Sequence, residues 1–169
     1  MPAGNCSSEC VTKRTVRVVS IALDCSRRRI WNTTTGLRVA ELPAPGHTID
    51  GGLAYAPNGH TLAISTVDDI TLWDTSTWRV RSTLQHTRTS TYDPNYHGPV
   101  GGIGRYALAF APDSRSLATV QPDAITVWDT TSHSKIASLV QYGADFTDVA
   151  FGRDRHTIVA QSGSDYIAL

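Results

Sequence analysis

The chain repeats itself without a gap. Residues 53–75, LAYAPNGHTLAISTVDDITLWDT, lie on residues 108–130, LAFAPDSRSLATVQPDAITVWDT, at an offset of 55. Leu53 falls on Leu108, Pro57 on Pro112, Leu62 on Leu117, and Trp73-Asp74-Thr75 on Trp128-Asp129-Thr130. A further copy begins at Val149-Ala150-Phe151 and runs through Ile158-Val159-Ala160 to Leu169, and an incomplete earlier one closes on Ile30-Trp31-Asn32-Thr33. Such a repeat constrains the fold strongly, because each unit must adopt one structure and bury the same positions against its neighbours.

Within each unit the pattern is that of short strands. Apolar, β-branched and aromatic residues come in short runs, as in Leu62-Ala63-Ile64-Ser65-Thr66 and Ile70-Thr71-Leu72-Trp73, separated by turn formers such as Pro57-Asn58-Gly59. No long window favours a helix. Ile70 and Leu72 must point to one face of their strand and Thr71 and Trp73 to the other, so both faces carry bulk and the sheet needs a neighbour on each side. An all-β fold of small antiparallel sheets packed face to face is expected.

The motifs place the chain closer. Gly46-His47, Tyr55-Ala56-Pro57-Asn58-Gly59, Leu62-Ala63, Asp68 and Trp73-Asp74 follow one another in the order of the WD-repeat signature, and Trp31 and Trp73 are 42 residues apart, near the ~40–45 of that repeat. The chain resembles the WD-repeat (WD40) β-propeller family over about residues 16–169, with Trp31, Asp74, Asp123, Trp128 and Asp129 as signature positions. The resemblance implies an open array of about three four-stranded blades. It also implies a hydrogen-bonded chain through His47, Ser65 or Thr66, Asp68 and Trp73, a structural tetrad in which the imidazole bridges carboxylate and hydroxyl. Later copies depart from it. Gln85-His86 replaces Gly-His, and Val120 and Gln121 stand before Asp123 where hydroxyls are expected, so one complete tetrad is anticipated.

The expected organisation is an N-terminal disordered arm over 1–15, a partial first blade over 16–47 with a strand at Val16–Ala22, and a second blade over 48–86. A long loop follows over 87–104, then a third blade over 105–140 and an incomplete fourth over 141–169. Aligning Asp165 with Asp123 puts the next Trp at position 170, and the array reads as a piece of a longer one. The long loop holds Tyr92, Asp93, Tyr96 and His97, amphipathic residues of the kind enriched at interfaces, and is the candidate partner-binding loop.

Other chemistry finds little support in the residues. His47 and Asp68 near Ser65 lack a nucleophile turn or oxyanion signature, so no catalytic residue is assigned. Gly98, Gly101, Gly102 and Gly104 are not followed by the Lys-Ser or Lys-Thr of a phosphate loop. Neither a cofactor nor a metal site is expected, Cys6 and Cys10 lacking a second ligand pair. Three cysteines crowded at one end suit a reducing, cytoplasmic setting. Fifteen basic residues offset fifteen acidic ones, which gives no net field toward nucleic acid or membrane, although Arg27, Arg28 and Arg29 make the N-terminal end basic. The function expected is a protein-interaction scaffold, whose partners are other proteins or the rest of its own propeller. The alternative is a propeller region attached to a kinase- or NTPase-type enzyme whose catalytic residues lie outside this chain.

Overall fold

The computed structural model describes residues 10–13, 16–19, 27–43, 52–65, 69–85, 107–121, 124–141, 144 and 146–162. These form antiparallel strands and turns and no helix. The first sheet joins β1 (Cys10–Lys13), β2 (Val16–Val19), β3 (Arg27–Asn32) and β4 (Arg38–Pro43); the second joins β5 (Leu53–Tyr55), β6 (Thr61–Ser65), β7 (Asp69–Asp74) and β8 (Arg79–Gln85). The third joins β9 (Leu108–Phe110), β10 (Ser116–Gln121), β11 (Ala124–Asp129) and β12 (Lys135–Val140), and the fourth pairs β13 (Phe146–Phe151) with β14 (Ile158–Ser162). Every sheet is a meander, each strand pairing with the next in sequence.

Two sequence expectations change. Cys10–Lys13 is a strand in register with Val16–Val19, so the disordered arm expected through residue 15 does not extend over these residues, and the first sheet has four strands. Phe151 pairs with Ile158 as Phe110 pairs with Leu117. The third and fourth sheets are therefore related by an offset of 41 through β14, not the 42 taken from Asp165. Residues 163–169, on which the place of the next Trp depends, lie outside the described residues.

The sheets stack through three apolar seams. Ile30 and Leu42 of the first sheet meet Leu53, Leu62, Ile64 and Trp73 of the second. The opposite face of the second, with Ala63, Ile70, Leu72 and Leu84, meets Leu117 and Trp128 of the third. Ala118, Val120 and Ile125 then turn to Phe146 and Val149 of the fourth. The alternation along β6 explains this: Leu62 and Ile64 go one way and Ala63 the other, and all five residues of the strand are buried. A strand covered on both faces holds the sheet in the middle of a stack. The stack is splayed. First strands lie side by side, β1 by β5, β5 by β9 and β9 by β13, while among the described residues no comparable approach links β4, β8 and β12. The sheets therefore radiate from an inner edge lined by their first strands.

Candidate functional site

The Trp-Asp-Thr segments organise one end of each sheet. A β-bulge precedes the tryptophan in three sheets, between Ile30 and Trp31, Leu72 and Trp73, and Val127 and Trp128. The bulge re-aims the side chain and adds twist where the strand meets its turn. Trp73 and Trp128 are buried and face Leu62 and Leu117 across the ladder.

Each buried indole donates to a threonine hydroxyl, and the two threonines come from different strands. Trp73 Nε1 donates to Thr71 Oγ1 at 3.0 Å, whereas Trp128 Nε1 donates to Thr119 Oγ1 at 3.1 Å. Thr71 pairs with Ile64 and Thr119 with Thr126, the same rung of the ladder 55 residues apart. Each hydroxyl also donates across its rung, Thr71 Oγ1 to the Ile64 carbonyl and Thr119 Oγ1 to the Thr126 carbonyl, both at 3.4 Å. Where β6 offers Ile64, the c-position threonine of β7 takes over the role.

This corrects the expected tetrad. Ser65 is fully buried, but its Oγ accepts from Gly52 N–H at 2.8 Å, and the partner of Trp73 is Thr71. The third sheet, thought to lack the hydroxyl, supplies it from Thr119 and not from the positions of Val120 and Gln121. Thr119 was legible in the sequence had the bond been sought one rung deeper. His47, Thr66, Asp68 and Asp123 lie outside the described residues, as do Tyr92, Asp93, Tyr96 and His97 of the long loop.

The acidic partner of the signature is a turn cap. Asp74 Oδ1 accepts from Ser76 Oγ, Ser76 N–H and Thr77 N–H, and these bonds, the Ser76 hydroxyl first, hold its pKa down at about 2. Asp129 is lowered in the same way, chiefly by the N–H groups of Ser132 and Thr131. Asn32, which follows Trp31, does this neutrally for Thr34 and Thr35 at 2.8 and 3.1 Å. Asp154 caps the turn between β13 and β14, the Thr157 hydroxyl being the largest cause of its pKa of about 2. The threonine after the Asp links two turns: Thr75 Oγ1 donates to the Gly59 carbonyl at 2.7 Å, and Thr130 Oγ1 to the carbonyls of Ser114 and Arg115.

The same turns join successive sheets. Asn58 N–H donates to Ser114 Oγ at 3.0 Å, and Arg155 lies 3.6 Å from Asp113. One rim of the molecule is thus a row of capped turns in contact. The basic N-terminal run does not form an open anion site here: Arg28 is buried, and Arg29 lies 3.7 Å from Glu41, which Arg38 also engages at 2.8 Å. Among the described residues no group of three or more His, Cys, Asp or Glu side chains is placed to hold a metal, and no helix is long and apolar enough to cross a membrane. Compared with known proteins, the chain matches no family profile and no curated protein.

Proposed function

We propose that the chain is a WD-repeat β-propeller array, open over these residues, that serves as a protein-interaction scaffold in the cytoplasm. The observation that carries the reading is the splayed stack of meander sheets, first strands inward, in which successive Trp-Asp-Thr segments perform the same three tasks. Radial repetition of this kind gives each small sheet a neighbour and leaves a rim of turns and connections for recognition. The polar groups singled out at the Trp-Asp-Thr ends are engaged in capping and bridging, which gives them structural work.

The long connection between the second and third sheets is the proposed contact region, with Tyr92, Tyr96 and His97 as its anchors. Residues 90–99 are replaced by a Gly-Ser linker, and capture of proteins on the immobilised chain is quantified beside the parent chain. Loss of a specific set of partners, with the circular dichroism spectrum preserved, is the expected result. Equal capture by both chains removes the loop's role, and turnover of a nucleotide by the purified chain contradicts the scaffold reading itself.

A further inference from the structure

We infer that the outer half of the third sheet, on the side facing the fourth, is a docking face for a β-hairpin from a second polypeptide. The inference deepens the scaffold reading and rests on it. In the second sheet, Ile70, Leu72 and Leu84 are covered by the third and are 0, 1 and 2% exposed. Their counterparts 55 residues on are Ile125, Val127 and Leu139, and there exposure rises to 2, 8 and 51%. Ile136 and Val140 beside them on β12 are about half exposed as well.

Two open cavities of about 480 and 360 Å³ mark the uncovered area. Val127, Ile136 and Phe151 line one and Val140 and Phe146 the other, with Leu139 and Ile158 in both. The face continues the seam between the third and fourth sheets without a break, since Ile125, Phe146 and Ile158 belong to both. What covers it must therefore lie beside β14, in line with the fourth sheet.

The edge of β14 is built to accept a strand. The outermost strands of the other sheets carry charge or proline, Arg38, Glu41 and Pro43 on β4, Arg79 and Arg81 on β8, and Lys135 on β12. These are the residues that discourage edge pairing. By contrast β14 reads Ile-Val-Ala-Gln-Ser, and among the described strands it pairs with β13 alone.

Geometry selects the occupant. A second copy pairing antiparallel through its own β14 would bring both third sheets onto the same face of the joined sheet, β11 and β12 of each in the other's space. The present chain is too short to supply the hairpin. Seven residues follow Ser162, whereas the two strands and turns that complete the third sheet run from Gln121 to Val140. The fitting partner is a hairpin of another polypeptide that hydrogen-bonds to β14 and sets aliphatic or aromatic side chains at alternate positions against Leu139, as Trp128 and Leu117 lie against the second sheet.

A synthetic, fluorescein-labelled peptide of residues 123–141, the chain's own hairpin from the third sheet, is the probe, titrated by anisotropy into the full chain. Saturable binding is expected, weakened at least tenfold by Leu139→Asp and unchanged by Val80→Asp, a half-exposed site on β8 away from the groove. Circular dichroism on both variants guards against misfolding. The inference is overturned by absence of saturable binding, by binding indifferent to Leu139→Asp, or by binding that appears after deletion of residues 163–169, which would make the chain's own end the occupant. It is equally overturned if Leu139→Asp dissolves a dimer of the parent chain. Partner capture that depends on residues 90–99 but persists in Leu139→Asp leaves the scaffold reading standing while the docking face falls.

Discussion

Trp73 and Trp128 make one bond each that decides how the signature works, indole N–H to threonine hydroxyl. Replacing Thr71 or Thr119 with Val keeps the volume and strands a buried donor, which costs ~1–2 kcal/mol; urea unfolding of each variant checks it, and Ser65→Ala should leave the indole bonds intact. Tyr55 gives the opposite case. Its hydroxyl is buried without a hydrogen-bond partner among the described residues, and burial pushes its pKa up to about 12. Tyr55→Phe removes that desolvated group and should raise stability by about 1 kcal/mol in the same assay. The capping carboxylates set the acid limb. Because Asp74, Asp129 and Asp154 titrate lower when folded than when unfolded, their contribution is complete above about pH 4 and is lost as pH falls towards 2. A triple Asp→Asn variant should show a flatter melting temperature across that window, and an unchanged slope would show that other carboxyls set it. The Trp-Asp pairs were visible in the sequence, but which hydroxyl meets the indole was not. That choice belongs to a ladder rung where β6 carries Ile64 and β10 carries Thr119, and strand register is invisible in a linear alignment.

The elements were more legible than their turns. Strands over Leu62–Ser65 and Ile70–Trp73 follow from alternation and β-branched content, whereas β1 was missed because Cys10-Val11-Thr12-Lys13 is short and sits in a polar, basic run. The turns hide their geometry. Gly59, Ser114 and Arg155 occupy one recurring left-handed position, with φ of 77, 64 and 67°. Gly36, Trp78 and His133 occupy another, at 69, 55 and 61°. Glycine announces the conformation at two of the six; elsewhere the tertiary repeat enforces it on side chains that resist it. Trp78 is compensated by packing against the first seam, and Ser114 by the bond from Asn58. His133 is exposed and has no such compensation among its hydrogen bonds, so His133→Gly should stabilise by about 0.5–1 kcal/mol, read as a rise of a few degrees in melting temperature. A fall would mean that the His133 side chain has work the backbone does not reveal.

At the scale of the whole molecule, stability resides in the seams between sheets, since each sheet has two apolar faces and no core of its own. Leu72→Ala, in the seam between the second and third sheets, should cost about 2–5 kcal/mol. Leu139→Ala, at the repeat-equivalent end of an uncovered face, should cost well under ~1 kcal/mol. The stacking was readable from bulk on both faces of one strand. The 41-residue step to the fourth sheet was not, because the alignment leaned on Asp165 and the ladder instead follows Phe151 and Ile158. The most direct test of the account is a comparison of two spin-label distances between the second and third sheets, with Cys6, Cys10 and Cys25 changed to Ser. One pair sits on the touching turns, at Pro57 and Pro112; the other sits on the outer strands, at Arg81 and Ile136. A radial stack predicts that the outer pair is clearly farther apart than the turn pair, whereas equal separations, as in two sheets packed at the usual ~10 Å along their whole width, would contradict it.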